Sequence, residues 1–591
     1  MLYQIRHGQS VALDPVTQVQ PDRQPVGAAW EGAAQRQAPS APFGYYFPDA
    51  PTSDATAAAL DRLAAAMATA TERAEASSRI PVVFTYLGQF LDHDLVALAE
   101  RDGGLWSIDG PGLAPLHRRV ATAGLANLRS GRLSLESLYG GATEGSVFSR
   151  RLTQALRDPE DPAKMRLGSL VPSELGRVPL PADGGGDLLR LGCLLQDPGR
   201  QFDTEDLLAL PRALRQVFVS DRGRVRVQRA VLGEPRNDQN LALAQLHLAL
   251  LRFHNALAAA PGAAPGAALG APAEDPQAAY GRAQQQLRWT LQWLVLNVYL
   301  PTVCDPAIVR ETLEREAPLY AAFLSAHRPS EADSLPIPLE FAAAAFRFGH
   351  AMVRSSYDWN RYHGRAAAGA RPLQPRADLR QLFAYTGAAS KPMPRDSRSS
   401  YPRLPGHWAV EWERLVGGME RYPDRAARLI DTNLSPRLFD LPNEPPETEG
   451  LFGNLARRTL RRGLRLNLPS AQDCIAGIYC ATGAAVESLG ASDLVSGHTG
   501  EAVRAGGFIG KTPLWFYLLK EAEIQAEGQR LGQLGSRLVA ETLAGLVIED
   551  PTSYWHRSGA DGGRWRPADG VRPAGEAVES IPALLRAARL L

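Results

Sequence analysis

The feature that most restricts this chain is the run VVFTYLGQFLDHDLVAL, residues 82–98. It is apolar enough to be buried, yet Gln89, Asp92, His93 and Asp94 sit at its centre. Buried charge is costly unless it is paired, hydrogen-bonded or holding a metal. On a helix, positions i, i+3 and i+4 share a face, so Gln89, Asp92 and His93 point the same way. Asp94 is rotated off that face and can serve a different site. A lone buried histidine is usually tied to a neighbouring carboxylate. Here four polar groups crowd into six residues, and a core histidine alone does not account for them.

The rest of the chain is written mainly in helical periods. RNDQNLALAQLHLALLRFHNALAAA, AAYGRAQQQLRWTLQWLVLNVYLPTV and LEFAAAAFRFGHAMVRSSY read as three long helices. LFGNLARRTLRRGLRLNLPSAQDCIAGIYCATG and TPLWFYLLKEAEIQ add more, and ESIPALLRAARLL reads as a short amphipathic helix docked at the end. Residues 141–235 alternate short apolar pieces with Gly, Pro and Asp, which predicts loops and short hairpins. The expected fold is mainly α, a single large helical domain with few short strands and long loops. Residues 1–50, rich in Pro, Gln and Ala, read as an extended N-terminal arm, residues 51–591 as the domain, and 256–277 as a low-complexity surface loop.

A net charge of +1 gives no reason to expect nucleic acid or an anionic membrane as partner. No apolar run reaches the roughly 18 residues of a membrane span. The N-terminus lacks the apolar core of a signal peptide. The expectation is therefore a cytoplasmic protein, or one exported without a classical signal. Cys193, Cys304, Cys474 and Cys480 form no CxxC pair and read as reduced core residues.

Three further stretches bear on chemistry. LYQIRHGQS ends a strand-like piece in Arg-His-Gly, the way histidine phosphatases begin, but the alternating strands and helices of that fold do not follow. His7 otherwise reads as a polar arm residue. GEPRNDQN, residues 233–240, opens the helix carrying His247 and His254, with capping by Asn237 or Asp238 as the plain alternative. His247 and His254, seven apart on one face, read as core residues or residues behind a site. FRFGHAMV places His350 in an apolar setting, which suits either a satisfied core histidine or an imidazole holding haem iron.

Taken in order, TYLGQFLDHDL, LSLESLYGG, GEPRNDQNLALAQLHLALLRFHN, FRFGHAMV, LRRGLRLNLPSAQD and TPLWFYLLKEAE…GQRLG…GSRLVAETLAGLVIEDPTSYW resemble the animal-type haem peroxidases of the peroxidase–cyclooxygenase superfamily. The resemblance spans about residues 80–560 and looks closest to bacterial members. It implies haem b and a reaction in which hydrogen peroxide is reduced through a ferryl intermediate while a small donor, a phenol or a halide, is oxidised. His93 becomes the proton shuttle, Arg236 the stabiliser of the departing oxygen, and Gln89 a hydrogen-bond partner for water or halide. His350 becomes the iron ligand. Arg347 and Arg462 fall where the family contacts the propionates. Thr459 stands where an asparagine usually receives the other nitrogen of the ligand histidine.

Asp92 matches a carboxylate that some relatives esterify to haem. Gln239 stands at the second such position, where an amide cannot form the ester, so at most one link is expected. The resemblance also implies calcium, with Asp94, Ser130, the carbonyl of Arg132, Ser134 and Glu136 as ligands. Fatty-acid oxygenases of the superfamily carry a radical-forming tyrosine three residues before the ligand histidine; Arg347 stands there instead. The alternatives are an oxygenase of a specialised substrate and a degenerate, non-catalytic haem protein. No membrane span is implied, and a monomer is favoured.

Overall fold

In the computed structural model of the protein, the structure describes residues 2–6, 9–12 and 42–591, the last range without 69–75, 101–107, 109, 111, 141–150, 152, 172–183, 198, 200–202, 211–214, 216–217, 221, 261–273, 329–333, 367–370, 388–402, 443–450 and 452. The described residues are mainly helical. Their strands are short and pair only two at a time. Seven helices carry the argument: α1 (Ala57–Ala66), α2 (Val83–Leu95), α3 (Leu241–Ala259), α4 (Pro276–Leu294), α5 (Leu455–Arg465), α6 (Leu514–Ala526) and α7 (Gln533–Ile548). Helix α2 lies against α3, α3 against α4, α1 against α5, and α6 against both α5 and α7.

Helix α7 is buried from Leu534 to Ile548 and forms the middle of the core. Burial on every side leaves its polar groups no water, so they bond to neighbouring backbone. Glu521 of α6 accepts the amides of Leu534 (2.8 Å) and Gly535 (3.0 Å) at the start of α7. Glu541 of α7 accepts the Leu319 amide at 2.9 Å, at the start of the helix Pro318–His327. A carboxylate at a helix start satisfies amides that have no partner within the helix.

The sequence-based expectations need four adjustments. The arm reaches the body of the protein: Phe43–Gly44 pairs in parallel with Ile337–Pro338, and Phe43, Tyr45 and Phe47 are buried. Glu340 holds that segment by accepting the amides of Tyr46 and Phe47. Second, α3 runs to Ala259 and α4 begins at Pro276, so both ends of the expected 256–277 loop are helical; its middle and His7 lie outside the described residues.

Third, LEFAAAAFRFGHAMVRSSY is not one helix. An α-helical turn, Leu339–Ala343, ends at Ala344 (φ −134°), and Ala345–His350 continues as a tighter 3₁₀ turn. The cause is local competition for carbonyls. The Arg347 side chain donates to Ala342 O (3.0 Å), and Trp515 of α6 donates to Arg347 O (3.1 Å). Fourth, Cys480 is exposed and Cys193 half-buried, so only Cys304 and Cys474 are core cysteines. Among the described residues no helix is long and apolar enough to cross a membrane. The tail forms the helix Ile581–Ala587, and Arg252 of α3 donates to Ala588 O beside it (3.0 Å).

Beyond α4 the helix widens into a π turn, Val295–Tyr299, just ahead of Pro301. Proline carries no backbone N–H, and a π turn absorbs the resulting break. The turn drives the buried Tyr299 ring against α2, where a Cβ at Gly88 would come within 2.4 Å of the Tyr299 hydroxyl. Gly88 therefore sets the distance between α2 and this turn. Gly88→Ala should destabilise the protein by about 1–3 kcal/mol, the usual cost of overpacking. Urea unfolding of the variant and the parent checks this, and equal midpoints would mean that the contact relaxes freely.

Candidate active site

Helix α2 presents Asp92 and His93, both buried, from its last turn. His93 Nδ1 lies 2.8 Å from Asn237 Oδ1. An amide oxygen only accepts, so His93 donates from Nδ1 and keeps its lone pair on Nε2. Burial, reinforced by the nearby Arg236 guanidinium, pushes the imidazole down to about 3, which keeps it neutral.

Arg236, Asn237 and Asp238 stand on a 3₁₀ turn, Pro235–Asp238, whose start Glu234 caps by accepting the Arg236 amide (2.9 Å). Arg236 Nη2 donates to His93 O (3.1 Å), Val96 O (2.8 Å) and Glu234 (2.8 Å). Two of these acceptors are carbonyls at the C-terminal end of α2, where a cation is favourable. Arg236 thus anchors the helix end behind His93, and its Nε is buried without a partner. The helix cap expected from Asn237 or Asp238 comes from Asn240, whose Oδ1 accepts the Leu243 amide (2.9 Å). Asn240 also donates to Gln89 Oε1 (3.1 Å), which fixes the side chain and leaves its amide nitrogen without a protein partner among the described residues. Asp238 is held instead by Arg190 (2.7 Å) and the Gly387 amide (2.8 Å). Gln239 is half-buried.

The second wall is the 3₁₀ turn ending in His350. Arg347 crosses to α2 and pairs with Asp92 at 3.2 Å, joining the two walls. Asp92 Oδ1 is buried without a partner. His350 lies edge-on to Trp515 with ring centroids 6.1 Å apart, and its Nδ1 is buried without a hydrogen bond. Burial and the cations of Arg347, Arg458 and Arg462 hold His350 well below the usual imidazole range. Thr459 does not meet this nitrogen in the structure: its hydroxyl donates to Leu455 O one turn back (2.8 Å). Arg462 is itself lowered to about 9, by burial and by the neighbouring charges of Arg458 and Arg347, against which Asp92 acts. Three guanidiniums thus stand on the side of the site where His350 lies. Sequence reading did not single out Arg458 or Trp515, and it named Asn237 only as a helix cap. Arg458 was accessible as the residue one turn before Arg462; the other two act on partners far away in the chain.

A cleft lies beside Thr459, lined also by Pro51, Leu464, Lys511 and Trp515; neither His93 nor His350 lines it.

Residues 198–388 match the family model of the animal haem peroxidases. That stretch, about a third of the chain, is similar to the animal haem peroxidases. It contains Arg236, Gln239, Arg347 and His350, while α2 and α5 lie outside it. No protein of curated function matches the sequence. Among solved structures, peroxidase A from Dictyostelium discoideum is similar at 17% identity, covering 88% of this chain and 91% of that one, with a TM-score of 0.47. Fatty acid alpha-dioxygenase from Oryza sativa is similar at 13% identity, with 83% and 72% covered and a TM-score of 0.48. The corresponding dioxygenase from Arabidopsis thaliana is similar at 12%, with 92% and 75% covered and a TM-score of 0.47.

A likeness to that family implies haem, and the residues present fit it: His350 offers a buried imidazole whose Nδ1 has no hydrogen bond, with three arginines near it. Calcium fits less well. Asp94 is buried, and its two oxygens accept the amides of Ser137 (2.9 Å) and Leu135 (3.0 Å). Ser130 and Ser134 both donate to the Glu136 carboxylate. Arg132 points to Asp550 at 3.7 Å. The buried Arg129 guanidinium pairs with Glu234 at 2.5 Å, approaches Glu136 at 4.0 Å and is near enough to Asp94 to feel its charge. The carboxylates expected to bind calcium thus accept protein donors, and an internal cation already faces them. The thermal unfolding temperature should be the same in EDTA and in excess calcium. A drop in EDTA that calcium restores would reinstate the ion.

Proposed function

We propose that the protein is a haem-dependent peroxidase that reduces hydrogen peroxide and oxidises a small donor, a phenol or a halide. The observation that carries this reading is His93: a buried, neutral imidazole that donates from Nδ1 to Asn237 and so offers Nε2 as a base. Haem, when bound, supplies an iron that takes up peroxide and the two oxidising equivalents of O–O cleavage. His350 would hold that iron. Arg347, Arg458 and Arg462 would hold the carboxylates.

His93 Nε2 takes the proton from the near oxygen of hydrogen peroxide and returns it to the far oxygen, which leaves as water. The proton count closes without solvent. Arg236 contributes positive charge behind His93, which keeps the imidazole from arriving already protonated. The free amide of Gln89 can hydrogen-bond a water or halide on the same face. The unpartnered Oδ1 of Asp92 leaves this residue able to take the single ester link to haem that the Gln239 amide cannot. Arg347 in place of a tyrosine speaks against fatty-acid dioxygenation. The next tyrosine, Tyr357, is buried and accepts the Arg354 amide at 3.0 Å.

Haem-supplied protein should show a Soret band that His350→Ala abolishes. Acid–organic extraction should leave haem on the parent chain but release it from Asp92→Asn. Complete release from the parent removes the ester and leaves the peroxidase reading untouched. No Soret band in the parent would remove both.

His93→Ala should slow the reaction with peroxide by on the order of 100-fold or more. A base with a lowered pKa stays neutral below the ordinary histidine range, so the parent rate should hold steady from pH 7 through pH 6. Stopped-flow measurement across this range checks both points. An acid limb centred near pH 6.5 would show that His93 is not protected by its surroundings.

A further inference from the structure

His93 is not the end of its hydrogen-bond chain. Asn237 Nδ2 lies 3.0 Å from Nδ1 of His247, on α3. Asn237 and His247 are both 0% exposed, and His247 stands against Phe90 of α2 with ring centroids 6.0 Å apart. Its Nε2 is buried and has no hydrogen-bond partner. A buried imidazole with one nitrogen left unsatisfied is not a comfortable core residue. The other nitrogen spends its only polar contact on Asn237.

The three groups form a line in which the tautomer of each ring is tied to that of the other through the amide. An amide nitrogen only donates, so Asn237 must find a lone pair on His247 Nδ1. Its oxygen then faces His93 and accepts the Nδ1 proton. Turn the amide over, and both histidines must change tautomer: His247 would carry its proton on Nδ1, and His93 on Nε2. In that state His93 presents an N–H where a base needs a lone pair. An amide's two ends are nearly the same in size, so shape does not choose between these states. The tautomer of His247 does, and in the structure its Nδ1 faces the amide nitrogen of Asn237 as the acceptor.

We infer that His247, acting through Asn237, selects the tautomer in which His93 can accept a proton. It is a positioning residue, and the inference rests on the reading of His93 as the base. The roles match what an outer hydrogen bond does elsewhere for a working histidine: it fixes which ring nitrogen carries the proton. The sequence reading of His247 as a residue of the core or behind a site is sharpened to the second of these.

The test reads the tautomer directly, in the haem-free full-length protein labelled with ¹⁵N-histidine. The parent should show a His93 resonance pattern with the proton on Nδ1, assigned by its loss in His93→Gln. In His247→Leu the amide loses its acceptor, and the His93 pattern should move toward the Nε2-protonated form. Asn237→Leu cuts the same line in the middle, and it serves if His247→Leu does not fold. With haem, His247→Leu should react with peroxide about tenfold more slowly. An unchanged His93 tautomer in both His247→Leu and Asn237→Leu overturns the inference. If the tautomer moves and the peroxide rate does not, the line exists but His93 is not the base, and the peroxidase mechanism fails rather than the coupling.

Discussion

The ion pair between Asp92 and Arg347 is the contact on which the site depends. One partner stands on α2 and the other on the 3₁₀ turn before His350, so a single 3.2 Å bridge sets the two walls against each other. Neither charge could be left alone in so apolar a surrounding. Arg458 and Arg462 stand on the same side, and burial together with the charges of Arg458 and Arg347 lowers Arg462 to about 9.

Buried carboxylates elsewhere in the molecule follow a different rule. Glu340, Glu521, Glu541 and Asp94 accept backbone amides at turns and helix starts. They are structural, and burial raises their pKa values: to about 6 for Asp94 and about 7 for the three glutamates. Asp92 stands apart because it faces a guanidinium with one oxygen and nothing with the other. The contrast between adjacent acids of one helix, Asp92 and Asp94, is decided by which side of the helix each leaves from. Asp94 turns to the backbone of residues 135–137, where Arg129 supplies the cation.

Much of this was legible in the sequence. Helix α2 and its polar centre, the division of roles between Asp92 and Asp94, and the predominance of helix all follow from periodicity and from the cost of burying charge. Gln89, Asp92, His93 and His350 could be named because their residue types are conspicuous in apolar surroundings, whereas Arg347 was named only through the resemblance to a family. The break at Ala344 was not legible: it depends on Arg347 and Trp515 competing for carbonyls, one of them across 168 residues of chain. Nor was the fate of Thr459, since a hydroxyl on a helix can bond its own backbone as readily as a distant ring.

What the sequence determined by itself is local: which segments are helical, which faces are apolar, and which few groups are too polar to be buried without purpose. Those properties arise from spacings of three and four residues. Tertiary structure alone decided the partners. Asn237 reaches His93 across 144 residues, and Arg129 reaches Glu234 across 105. Hydrogen bonds and ion pairs act over about 3–4 Å. No pattern along the chain reports which distant segments folding will bring that close, so the tautomer of His93 and the cation beside Asp94 became visible only in three dimensions.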